Sequence, residues 1–423
     1  MLDLKFIREN PELVQKGILA KGVSIDLQEL LGADAQRRAH LKEVEDLKAE
    51  RNQANDKISK LKKEGRDASV IIAEMKTTSQ KIGDLDAKVG DLDEEISKIA
   101  SFIPNIPHSS VPVSKGAEGN KVVRTWGEPR RFDFPLKDHL QLASSLGWLS
   151  MEMGSKITGG GFPVYLGQGA RLERTLINFM LDLHTKKHGY TEVWPPAIVN
   201  RASMRGTGQL PKMEHDMYAL SAGEDEEKGS HFLIPTAEVP ITNLRREDTF
   251  EEKELPVRYT GYSPCFRKEA GSYGKDTRGL SRVHQFDKIE LVKFVKPEGS
   301  EPELEALVKD AEDVLQALEL PYRVVLLGSG DMSFAAAKCY DLEVWAPATE
   351  KWFEVSSCSL FTDFQARRMN IRYRNEKTKK LEFVHTLNGS GVALARTVLC
   401  LLENFQTSNG QVEFPKALQP YLT

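Results

Sequence analysis

Residues 259–292, YTGYSPCFRKEAGSYGKDTRGLSRVHQFDKIELV, contain the side chains needed to hold a small charged molecule on two strand-like stretches. Alternation puts Cys265, Arg267 and Glu269 on one face of the first stretch, with Phe266 and Lys268 on the other. In the second stretch Phe286, Lys288 and Glu290 share a face, opposite Ile289 and Leu291. Paired as an antiparallel hairpin, the two would bring Arg267, Glu269, Phe286 and Glu290 onto one polar face. An arginine grips phosphate or carboxylate through two parallel hydrogen bonds. A flat ring stacks a base, and a carboxylate holds an ammonium. The loop 270–281 carries Lys275, Asp276 and Arg278 and is long enough to close as a lid. A solvated hairpin with surface salt bridges fits this stretch equally well.

Other chemistry-bearing residues narrow the choice. Arg396 lies in the first turns of a helix that follows HTLNGSG, near open N–H groups suited to an anion. His184 and His188 are four apart on a helix, but without an H-E-x-x-H context they read as non-ligands. The chain has no GxxxxGK[ST] loop and no strand-associated GxGxxG, which argues against P-loop and Rossmann nucleotide sites. The four cysteines, Cys265, Cys339, Cys358 and Cys400, lack metal-ligand spacing and read as free thiols in a reducing compartment. A net charge of -4 on 423 residues does not mark a nucleic-acid binder, although local basic patches suffice for one. No apolar run is long enough to span a bilayer, and the amphipathic, acid-containing N-terminus resembles no targeting peptide. The expected compartment is the cytoplasm.

The elements that position these groups read as α+β, with helices beside a mostly antiparallel sheet. Residues 1–22 predict two short helices broken at Asn10-Pro11, with Leu13, Val14 and Ile18 inward. Val44, Leu47, Arg51, Ala54, Ile58 and Leu61 then follow a heptad seam, Gly65 marks a turn, and Ile71 to Ile99 continue the three-four spacing. Two such helices should fold back as an antiparallel coiled coil, an arm roughly 45–60 Å long at 1.5 Å per residue. Its turn end is basic, with Lys57, Lys60, Lys62, Lys63 and Arg66 against Glu64. That suits backbone contacts to a polyanion; a spacer or oligomerisation coiled coil is the alternative. Residues 101–131 are rich in Pro, Gly and Ser and read as a linker. Beyond it come a helix around 172–183, a helix over 303–320, strands at YRVVLLGSG, YDLEVWAP and WFEVSSCSL, and a Gly-Ser turn opening the last helix.

Taken together these residues resemble a known family. A helix and strand ending in Pro195-Pro196, the F-R-x-E hairpin with its downstream F-D-K-x-E, and G-S-G-x-A-x-A-R look like the three class II aminoacyl-tRNA synthetase motifs. PTAEVP, GTGQLPK, AAAKCYDLEVW, FEVSSCSLFTDFQARR and HTLNGSGVALAR resemble the seryl-tRNA synthetases of bacterial type in particular, as does the heptad arm. The resemblance implies an antiparallel-sheet catalytic domain over 104–423 behind a tRNA-binding domain over 1–103. It implies activation of L-serine with ATP and transfer to tRNA(Ser), and also to tRNA(Sec). Thr236, Ala237, Glu238, Arg267, Glu290, Asn388 and Ser390 would bind serine. Arg267, Lys268, Glu269, Val283, Phe286, Glu354, Val355, Ser356, Ser357 and Arg396 would bind ATP, with Arg267, Glu269 and Arg396 catalytic. Glu354 and Ser357 would hold Mg²⁺, and no zinc is expected. Lys57, Lys60, Lys62, Lys63 and Arg66 would meet the tRNA, and a homodimer would form through 172–196, with no membrane partner. Simple alternation puts Glu354 and Ser357 on opposite faces, so a shared metal requires a bulge near Val355-Ser356. The rival readings are a carrier-protein ligase, a non-catalytic paralogue and a synthetase for another small amino acid.

Overall fold

The computed structural model describes residues 1–221, 230–270 and 278–422. They fall into two compact units: Leu2–Leu19 with Val23–Pro104, and Met1 with Ala20–Gly22 and Asn105–Thr423.

In the first unit, helix α1 (Leu4–Glu9) is capped by Asp3, and α2 (Pro11–Ala20) begins on proline, whose missing N–H costs nothing at a helix start. Val14 and Ile18 are buried but Leu13 is half exposed, because it lies about 140° around the helix from Ile18 at 100° per residue. Helix α3 (Leu27–Lys63) starts on the Asp26 cap, well before Val44, and α4 spans Ser69–Ser101. Gly65 turns the chain between them in the left-handed region. Arg37 near the start of α3 pairs with Asp93 near the end of α4, while Glu43 and Lys48, further along α3, pair with the earlier Lys81 and Asp86, so the helices are antiparallel. Val44, Ile82 and Leu85 fill the seam with Leu47, and at about 1.5 Å per residue the 37-residue α3 is about 55 Å long. Lys57, Lys60, Lys62, Lys63 and Arg66 are all exposed at the turn end.

The second unit is built on an eight-stranded sheet. In chain order its strands are β1 (Lys121–Trp126), β2 (Thr191–Glu192), β3 (Val257–Phe266), β4 (Gln285–Val295), β5 (Tyr322–Leu326), β6 (Lys338–Ala346), β7 (Lys351–Thr362) and β8 (His385–Ala393). The spatial order is β1-β5-β6-β7-β8-β4-β3-β2, antiparallel except for the β2–β3 edge. Helices α5 (Gln168–Lys186), α6 (Ser300–Ala317) and α7 (Leu394–Asn404) pack Leu172, Leu176, Leu304, Leu307, Val398 and Leu402 into one apolar cluster with the sheet. Burying such stripes supplies the main driving force, about 25 cal/mol per Å² of apolar area.

Three local readings need correction. Residues 101–131 are not merely a linker: they contain the edge strand β1, paired with β5 despite the surrounding glycines and prolines. NGSG is not a turn but the middle of β8, between β4 and β7. Its glycines face the helices: a Cβ on Gly389 would sit 2.9 Å from Cys358 Sγ, and one on Gly391 would sit 2.4 Å from His184 Nε2. Asn388 and Ser390 alternate onto the other face. Finally, β3 ends at Phe266, so Arg267 and Glu269 lie beyond it, where Arg267 N still reaches His284 O (2.9 Å) but Lys268 N turns to Asp216 O (3.1 Å). The predicted lid, including Lys275 and Asp276, lies largely outside the described residues.

Candidate active site

The centre of the sheet's polar face opens into a cavity of about 430 Å³. Strand β4 supplies Phe286 and Lys288, β7 supplies Glu354 to Ser357, β8 supplies Asn388 and Ser390, and the first turn of α7 supplies Arg396. The chain beyond β3 adds Arg267 and Glu269, Thr236 enters just before the short helix Glu238–Asn243, and Glu238 is that helix's first residue.

The floor is a charged nest around Glu290, which is fully buried. Thr236 Oγ1 donates to one carboxylate oxygen and Asn388 Nδ2 to the other, each at 2.8 Å. Lys288 Nζ lies 2.5 Å from Glu290 and donates to Thr236 Oγ1 at 2.8 Å. The buried anion is therefore paired and hydrogen-bonded, as burial demands. Glu238 takes hydrogen bonds from Gln365 Nε2 (2.6 Å) and Gln209 Nε2 (3.3 Å). Burial, and then the neighbouring Glu290, push its carboxyl up to about 7. Gln365 is itself fixed by Thr386 Oγ1 at 2.7 Å.

Above this floor Arg267 donates Nε to Pro235 O (3.2 Å), and its guanidinium lies 5.3 Å from the Phe286 ring centre. Among the described residues its terminal nitrogens have no partner, so they are available to an anion. Glu269 pairs with Arg282, and Val283 is buried in the wall. Arg396 is oriented by two carbonyls, Ser281 O (Nε, 3.0 Å) and Glu354 O (Nη1, 2.7 Å).

The bulge required near Val355 is present. Leu342 pairs with Ser356 while Glu343 pairs with Glu354, so Val355 is the extra residue and both Glu354 and Ser357 reach the cavity. Asp341 lies behind them; burial and the charge of Glu354 push its carboxyl well up, favouring the neutral form. A half-exposed carboxylate and a hydroxyl suit a hard cation that completes its shell with phosphate oxygens and water. Among the described residues no group of three or more His, Cys, Asp or Glu gathers as a metal cage.

The sequence-predicted residues thus converge, with exceptions. Glu290 lies beneath the lining, Ala237 is packed in an apolar cluster, and the Lys268 ammonium sits 5.7 Å over the Tyr218 ring, away from the cavity. Sequence reasoning assigned no role to Lys288, Gln209, Gln365 or Arg282. Alternation from Phe286 to Glu290 already pointed at Lys288; the two glutamines carry no local signal, since only the fold brings them to Glu238.

Comparison with known proteins agrees with this geometry. Residues 1–107 match the family described as "Seryl-tRNA synthetase N-terminal domain", and 218–405 match "tRNA synthetase class II core domain (G, H, P, S and T)". A serine--tRNA ligase of Caldanaerobacter subterraneus subsp. tengcongensis is 55% identical over 422 residues, covering 100% of this chain and 98% of that protein. The crystal structure of seryl-tRNA synthetase from Pyrococcus horikoshii complexed with ATP superposes with a TM-score of 0.92 at 37% identity, over 100% of this chain and 98% of the other. The cytoplasmic serine-tRNA ligase of Naegleria fowleri in complex with AMP gives 0.88 at 30%, over 100% and 97%. With matches running from end to end, the chain belongs to the seryl-tRNA synthetase family of class II aminoacyl-tRNA synthetases.

Proposed function

We propose that the chain activates L-serine with ATP to seryl-adenylate and transfers serine to the 3′-terminal adenosine of tRNA(Ser), and also of tRNA(Sec). The observation that carries the reading is the nest of Thr236, Glu290 and Asn388 at the base of a cavity whose upper wall holds Arg267 over Phe286. Glu290 and Thr236 receive the serine ammonium, and Glu290, Asn388 and Ser390 read the hydroxyl. Alanine would leave those buried groups unpaired, a strong basis for rejection. Glu238 completes the pocket with Ala237 behind it. Lys268, on the far side of Arg267, acts through the backbone alone.

Phe286 stacks the adenine ring, Glu269 accepts from its amino group, and Val283, Val355 and Ser356 enclose it. Arg267 bridges the serine carboxylate and the α-phosphate; Arg396 grips the γ-phosphate of a bent ATP. Activation is in-line attack of the carboxylate on the α-phosphate with pyrophosphate leaving, so no protein nucleophile is required. Positioning and charge neutralisation supply the rate. Glu354 and Ser357 hold Mg²⁺, whose contribution when bound is to neutralise phosphate charge.

Lys57, Lys60, Lys62, Lys63 and Arg66 contact the tRNA backbone at the arm's turn, within a tRNA-binding domain over 1–103 that precedes the catalytic domain over 104–423. Residues 172–196 form the homodimer interface, and the protein works in the cytoplasm. No helix among the described residues is long and apolar enough to cross a membrane. Serine-dependent ATP–pyrophosphate exchange followed by charging of tRNA(Ser) tests the reading; exchange with serine but no charging of any tRNA would refute the transfer half.

A further inference from the structure

The two histidines set aside as metal ligands join the serine subsite to a charged helix. His184 on α5 is fully buried, and its Nε2 lies 3.2 Å from the Gly391 carbonyl of β8. Its Nδ1 lies 3.0 Å from Nδ1 of His188, whose Nε2 lies 3.1 Å from Asp313 on α6. The Gly391 carbonyl needs this donor. Lys288 pairs with Ala393 and Glu290 with Ser390, so β8 carries one extra residue between them, a bulge at 391–392. On the other side the β7 pairing stops at Gly389. Immediately before Gly391, Ser390 and Asn388 line the cavity, and the Ser390 carbonyl takes the Ser356 hydroxyl at 2.6 Å.

Counting protons fixes the charge of this chain. Its ends, the Asp313 carboxylate and the Gly391 carbonyl, are acceptors only. The Asp313–His188, His188–His184 and His184–Gly391 links each need one proton, so the two rings hold three. A pair of neutral imidazoles holds two, and any arrangement of two sets a pair of lone pairs face to face at one link. One ring is therefore an imidazolium. Burial pushes the His184 imidazole down to about 3, so it is the neutral one. His188 faces Asp313, and its Nδ1 also lies 3.8 Å from Asp310. Lys187 and Lys309 reach Asp313 at 2.6 and 2.8 Å, while the Tyr190 hydroxyl (2.8 Å) and Lys293 (3.5 Å) reach Asp310. Burial works against Asp313, but hydrogen bonds from Lys187, Lys309 and His188 hold its carboxyl down at about 2, so it stays an anion.

We propose that His184 and His188 are positioning residues for the serine subsite: a charged His188, held by Asp313, orients a neutral His184, which fixes the Gly391 carbonyl and with it the Asn388 and Ser390 wall. The functional part of this rests on the serine reading of the cavity; the protonation pattern does not.

Two measurements test it. In the full-length chain with ¹⁵N-labelled histidines, assigned with His184→Gln and His188→Gln, ring nitrogen shifts at pH 7 should show His188 protonated at both nitrogens and His184 neutral with the proton on Nε2. A neutral His188, or a His184 protonated on Nδ1, would overturn the proposal. This readout is made on the wild-type protein, so it decides even if a variant misfolds. In pyrophosphate exchange, Asp313→Asn should raise KM for serine about tenfold while KM for ATP stays within about twofold. Equal changes in both, or none, would reduce the dyad to packing. If the wild-type chain shows no serine exchange at all, the proposed function fails, and the nitrogen shifts still judge the proton pattern.

Discussion

Replacing Glu238 by glutamine should make the chain more stable, and only at high pH. Glu238 is buried against Gln209 and Gln365, and its carboxyl rises from 4.5 to about 7. At about 1.4 kcal/mol per unit, ionising it costs roughly 3 kcal/mol more in the folded chain than in the unfolded one. Because the folded value is the higher, this group's contribution to stability is fully present below about pH 4.5 and is lost as pH rises through about 7. Glutamine keeps the shape and an acceptor for Gln365 but does not titrate. Urea unfolding, followed through the same transition in both proteins, should give closely similar midpoints at pH 5. At pH 8.5 the variant should be more stable by up to roughly 3 kcal/mol. The bound ammonium should favour ionised Glu238, so serine binding should release a proton and weaken below pH 7 by at most about tenfold per pH unit. Binding to Glu238→Gln should be flat over the same range. A stability gap independent of pH, or of opposite sign, would refute the reasoning.

Arg267→Ala should lower pyrophosphate exchange by about 10²–10³ with the fold intact by circular dichroism, as expected for loss of a preorganised donor; an effect under about tenfold would remove it from the α-phosphate. Glu354→Ala should raise the Mg²⁺ concentration for half-maximal exchange by at least about tenfold, and an unchanged requirement would put the metal elsewhere. Reversing Lys60 and Lys63 to glutamate should spare exchange, weaken tRNA binding and flatten its log–log salt dependence by about 2; an unaltered slope would show that the arm's tip meets no phosphate.

The heptad spacing, the break at Pro11, the strand alternation and the proline-ended motif made much of the fold legible, because each is local physics with a fixed period. The bulge at Val355 was legible too, through the mismatch between alternation and the need for Glu354 and Ser357 on one side. What escaped was non-local. NGSG looked like a turn because its glycines have no side chains, yet they are small because Cys358, Leu307 and His184 press on β8. β1 hid in a Pro- and Gly-rich run because an edge strand needs only one partner. The lysine beneath the pocket lay on the correct face, but only the fold reveals that Lys288, rather than solvent, balances Glu290. Lys268 entered the ATP set through the resemblance alone; alternation already put it on the face opposite Arg267, and its ammonium lies over the Tyr218 ring, away from the cavity.

The most direct test of the central claim is ATP–pyrophosphate exchange by the purified chain with each of the twenty amino acids in the absence of tRNA. The site described here predicts exchange with serine alone, with alanine and threonine at background. Exchange driven by another amino acid, or by none, would contradict it.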